Sequence, residues 1–128
     1  PISTPIDGVI VEIIGKAEYE DMFNTHILQL RKPNGLGSIN KGNGGPWSTT
    51  FENQPPCPAG DCADTWGLSL TKQDVIHSNF GVVFSCENSS NDTTKHTAWV
   101  DCIKMTICWT VGGSSDQDTR ETPTIDLA

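Results

Sequence analysis

Apolar and polar positions alternate with a period of two through much of this chain. In "GVIVEII", Val9, Val11 and Ile13 fall on one face and Ile10, Glu12 and Ile14 on the other. β-Branched side chains suit a packed pleated surface, so this run reads as a largely buried strand. "THILQLRK" alternates through His26, Leu28 and Leu30 and stops at Pro33-Asn34-Gly35, a turn signal. "FGVVFSC" sets Phe80, Val82 and Phe84 on one face. The longest run, "TAWVDCIKMTICWT", sets Trp99, Asp101, Ile103, Met105, Ile107 and Trp109 on one face and Val100, Cys102, Lys104, Thr106 and Cys108 on the other.

Between these runs the chain is rich in Gly, Pro and Asn. "GLGSINKGNGGPWS" and "QPPCPAGDCAD" read as loops, and "ENSSNDTTK" as a polar turn region. "WSTTFEN" and "WGLSL" read as short strands, and "KAEYEDMFN" as at most one helical turn. Thr71 followed by Asp74 resembles a capping box and predicts a single turn over Lys72–Ile76. Short strands with almost no helix predict an all-β fold, an antiparallel β-sandwich of jelly-roll-like form. The sandwich is expected over residues 1–111, with 112–128 a polar acidic C-terminal tail or interface arm. Phe80, Val82, Phe84, Ile103, Met105 and Ile107 are expected in the core on adjacent antiparallel strands.

The 128 residues fit one domain with a core of its own. Sixteen acidic against eight basic residues give a net charge of −8, which disfavours nucleic acid and anionic membrane surfaces as partners. No apolar run reaches the roughly 20 residues of a membrane span, and no basic leader precedes the first strand. The chain opens on Pro1 rather than Met, so a trimmed, processed or partial chain is expected. Of five cysteines, at least one must stay unpaired within the chain. "CPAGDC" closes a tight Pro/Gly loop, which predicts a Cys57–Cys62 disulfide and an oxidising setting, the alternative being five reduced thiols in a cytosol.

Candidate chemistry is sparse. Asp74, His77 and Ser78 have the residue types of a hydrolytic triad, but triad members are brought together by the fold, and a capped turn is the simpler reading. The cysteines with His26, His77 and His96 lack the paired spacings of a zinc site. "NKGNGGPW" lacks the Lys-Ser/Thr of a phosphate loop, and Asp116, Asp118 and Glu121 lack the spacing of a calcium loop. No cofactor or metal is therefore expected. Asn88-Ser-Ser and Asn91-Asp-Thr are formal glycosylation sequons. Trp47, beside a Gly/Pro loop, is the candidate exposed aromatic for a glycan, whereas Trp99 and Trp109 are expected in the core. Asp101 shares the face of Ile103 and Met105, so it is expected as a buried carboxylate accepting hydrogen bonds from loop amides.

The blocks "IDGVIVEIIGKA", "HILQLRKPNG", "DTWGLSLTKQDVIHSNFGVVF" and "AWVDCIKMTICWT", in this order and spacing, resemble a largely uncharacterised β-sandwich domain that recurs in phage virion proteins and in bacterial surface or secreted proteins. The resemblance covers roughly residues 6–110. It implies a virion or extracellular setting and carries no enzymatic activity. Within it, Trp66 would anchor a strand, Thr71 would cap a turn, and Asn79 and Phe80 would open the next strand. The expectation is a non-enzymatic virion structural protein, a capsid decoration protein or a fibre or appendage subunit. It would work as a homo-oligomer alongside other virion or surface-assembly proteins. The alternative is a secreted carbohydrate-binding module.

Overall fold

The structure is a computed structural model that describes residues 4–42, 44–92, 94–111, 113–121 and 125–127. The described strands are β1 (Ile6–Ala17), β2 (Phe23–Lys32), β3 (Gly35–Leu36), β4 (Glu52–Asn53), β5 (Gly81–Asn88), β6 (Ala98–Val111), β7 (Ser114–Glu121) and β8 (Ile125–Leu127). The one helix among them, α1 (Lys72–Ile76), lies between β4 and β5. The strands form two sheets, ordered β4-β1-β6-β7 and β3-β2-β5-β8. All pairings are antiparallel except β5 with β8, which run parallel. The fold is an all-β sandwich, as the alternation predicts.

The inward positions of the strands supply the core. Val9, Val11 and Ile13 of β1 and Ile103, Met105 and Ile107 of β6 belong to one cluster with Leu28 and Leu30 of β2 and Val82 and Phe84 of β5. Burial of each such side chain is worth about 1.5–3 kcal/mol, so this cluster dominates the stability of the fold. The six expected core residues are all buried, but β5 and β6 are not neighbours. The 89–97 connection is longer than a hairpin loop and carries the chain from one sheet to the other. Both edges of β6 are already occupied, by β1 and β7.

One residue reverses part of β6. Ile14 pairs with Cys102 and Gly15 with Val100, so Asp101 is the extra residue of a bulge. The bulge turns Asp101 out to solvent and inverts the phase beyond it. Trp99 consequently stands beside Lys16 on the outer face, 42% exposed, and is not a core residue. The expectation of a buried Asp101 acting as a structural acceptor is corrected in the same way. Trp109, at the far end of the strand, is half-buried against the core.

The free edge of β1 is covered by the 54–70 segment. Ile13 carbonyl accepts from Gln54 N–H, Val11 exchanges two backbone bonds with Ala59, Val9 N–H donates to Asp64 carbonyl, and Ile6 N–H donates to Leu70 carbonyl. An edge satisfied this way offers no template to a foreign strand. The segment 112–128, expected as a tail or arm, contributes β7 against β6 and β8 against β5. β7 escaped the pattern because its residues 114–119 are exposed, so no buried face imposes alternation on it.

Candidate functional site

The stretch from Asp64 to Phe80 is a structural connection. Trp66 is buried, and its indole N–H donates to Val9 carbonyl at 2.9 Å. Its backbone N–H donates to Asp64 Oδ1 at 2.8 Å, while Lys41 Nζ lies 2.7 Å from Asp64 Oδ2. The Lys41 ammonium, with the Trp66 amide, holds the Asp64 carboxyl below its usual range. "WGLSL" is a turn and not a strand, because Trp66 and Gly67 take φ of 58° and 73°. Two successive left-handed residues end an extended run, and Gly67 takes that conformation without steric cost.

Thr71 caps α1 as the sequence predicts. Its side chain accepts from Asp74 N–H, and Asp74 Oδ2 accepts from Thr71 N–H at 3.0 Å. The helix is docked by Val75, which is buried, and by Lys72 N–H donating to Thr4 carbonyl. The candidate triad is not assembled as such: the Asp74 carboxylate serves the cap, and His77 Nδ1 accepts from Asn79 N–H at 3.0 Å. Asn79 is exposed and Phe80 is buried just ahead of β5. Among the described residues no three His, Cys, Asp or Glu side chains gather in a way that could hold a metal ion.

The disulfide joins Cys62 to Cys108, not to Cys57. Ala59 is pinned to Val11, so the chain on either side of it leads in different directions. Cys57 turns back toward the core, and burial pushes its thiol up to about 12. Cys62 instead crosses Gly8, which pairs with Cys108. A Cβ on Gly8 would collide with the Cys62 backbone, so only glycine admits the loop at that height. The Cα atoms of Cys62 and Cys108 lie 5.3 Å apart, within the reach of a disulfide. Cys57, Cys86 and Cys102 are not disulfide-bonded. A disulfide suits an extracellular or otherwise oxidising compartment, and among the described residues no helix is long and apolar enough to cross a membrane.

Trp47, the expected glycan contact, is 1% exposed. Its indole N–H donates to Thr25 Oγ1 at 3.0 Å and its ring stacks on Phe84 with centroids 6.0 Å apart. The neighbouring Gly/Pro loop bends the chain inward: Pro46 bridges Asn24, and Trp47 N–H donates to Phe23 carbonyl. The exposed aromatic pair lies elsewhere. Trp99 and Phe51 flank Lys16, whose ammonium sits 5.1 and 4.9 Å from their ring centres. This pair was hidden from the sequence by the Asp101 bulge. Of the sequons, Asn88 is exposed at the end of β5 and Asn91 lies in the following loop; Thr93 lies outside the described residues.

An apolar recess of about 210 Å³ lies between α1 and the β6–β7 pair. Ile6, Val75 and Ile107 carry its buried surface and Trp109 contributes a partly exposed ring. Two aliphatic side chains of its lining, Ile76 and Val111, are 58% and 56% exposed. Lys72 of α1 and Asp118 of β7 bring opposite charges to the same recess. No protein-family model, curated protein or solved structure matches the chain.

Proposed function

We propose that this chain is a non-enzymatic structural subunit of a virion, acting by association with copies of itself and with neighbouring surfaces. The observation that carries the association is the recess between α1 and β6–β7, where Ile76 and Val111 leave aliphatic surface in water. Burying these side chains and the recess beneath them against a partner would remove apolar surface from water. The disulfide and the covered β1 edge support a role as a rigid building block, which keeps its shape while its outer surfaces bind. The virion setting rests on the sequence resemblance alone.

The second reading, a secreted carbohydrate-binding module, is favoured by the exposed Trp99 and Phe51 rings on either side of Lys16. Sugar rings stack on such aromatic surfaces while polar groups fix their orientation. Electron microscopy of the purified chain at high concentration, together with a glycan-array screen, separates the two. Defined oligomers or arrays without ligand support the structural subunit. Glycan binding that Trp99→Ala abolishes, with the protein monomeric throughout, supports the module and overturns the first reading.

A further inference from the structure

We infer that the recess between α1 and β6–β7 is the surface by which two copies of this chain pair about a two-fold axis, each placing its Ile76 in the recess of the other. The inference rests on the proposed self-association and says where it happens. In a two-fold contact the same patch appears on both sides, so the patch must complement itself. This one does so in shape and in charge. An apolar cavity of about 150 Å³ admits a guest the size of benzene, so the recess, at about 210 Å³, admits a branched aliphatic side chain. Ile76, 58% exposed, is the aliphatic group on offer beside it.

Charge complementarity argues for a second copy over an unrelated partner. The recess carries one cation, Lys72, and one anion, Asp118, on different elements. Neither has an ion-pair partner among the described residues. A two-fold operation brings each Lys72 toward the Asp118 of the other chain and forms the pair twice. The patch itself thus adds no net repulsion, although each chain carries a net charge of −8. A partner of single-signed charge would leave one of the two groups opposed.

The test is sedimentation equilibrium of the full chain and four variants: Ile76→Asp, Lys72→Asp, Asp118→Lys, and the double exchange Lys72→Asp with Asp118→Lys. Thermal melts first establish that each variant is folded; all three positions lie on exposed faces or rims. Ile76→Asp is expected to raise the dimer dissociation constant roughly tenfold or more, as for an interface anchor. Each single charge reversal is expected to weaken pairing severalfold, and the double exchange to restore it, because the Lys–Asp pair is re-formed with its ends swapped. If the wild-type chain associates but the variants associate equally well, or the double exchange fails to restore pairing, this interface is overturned while self-association stands. A wild-type chain that is monomeric at every concentration overturns self-association and the interface together.

Discussion

Cys62 and Cys108 are separated by 46 residues and joined by a disulfide that holds the 54–70 segment down on the β1–β6 pair. The bond closes a loop that spans α1, β5 and most of β6. Cross-links of that span stabilise by about 2–4 kcal/mol, chiefly by restricting the unfolded chain. Peptide mapping of the non-reduced protein should recover Cys62 linked to Cys108 and Cys57 as a thiol. The double variant Cys62→Ala, Cys108→Ala should lose about 2–4 kcal/mol in urea unfolding. A Cys57–Cys62 link in the map would overturn the assignment.

The two tryptophans with reversed roles give a direct contrast. Trp47 is buried with its indole hydrogen-bonded, so Trp47→Ala should cost about 3–5 kcal/mol. Trp99 stands on the outer face, 42% exposed, with the Lys16 ammonium over its ring, so Trp99→Ala should cost less than about 1 kcal/mol. Equal losses in chemical denaturation would mean that the Asp101 bulge is misplaced.

Removing residues 112–128 should unsettle the sandwich itself. β7 pairs with β6 from Lys104 to Val111, and Thr106 and Thr119 exchange a hydroxyl hydrogen bond at 2.6 Å. Truncation after Val111 would bare the β6 edge and a strand of apolar inward residues, a template for aggregation. A lower melting temperature and soluble aggregates on gel filtration are expected. A truncated chain that melts as the full chain does would favour the reading of 112–128 as a tail or interface arm outside the sandwich.

His96 should give a pH dependence near neutrality. Its Nε2 lies 2.9 Å from Asp92 Oδ2 and its Nδ1 3.4 Å from Glu18 Oε2, with the Tyr19 ring edge-on beside it. Both ring nitrogens can donate only in the imidazolium, and the Asp92 hydrogen bond, then Glu18, raises the pKa above its ordinary 6.5. The stabilisation is therefore complete below about 6.5 and lost as pH rises through the higher folded value. On the acid side, the Thr94 amide and then His96 hold Asp92 at about 2, so its contribution is present above the ordinary 3.8 and lost as pH falls through about 2. Unfolding free energies of wild type should fall as pH rises above about 6.5 relative to His96→Gln. Parallel profiles would contradict the clasp.

Much of this architecture is legible in the chain, and the exceptions share a cause. β1, β2, β5 and the centre of β6 announce themselves because each has one face in the core, which fixes alternation. Thr71 and Asp74 announce the cap because both partners lie within one turn. Trp99 and Asp101 mislead because a single unpaired residue inverts a face, and nothing local marks the step from Cys102 to Val100 opposite Ile14 and Gly15. Cys62 misleads because its partner is chosen by the loop crossing at Gly8, a contact between distant parts of the chain. The recess is invisible beforehand because it exists only where α1, β6 and β7 converge.

We propose that this sandwich works by binding copies of itself. Sedimentation velocity of the wild-type chain, from low micromolar to several hundred micromolar at physiological salt, reads this association. Self-association should make the sedimentation coefficient rise with concentration toward that of a dimer or larger assembly. A coefficient that stays at the monomer value across the whole range would contradict it.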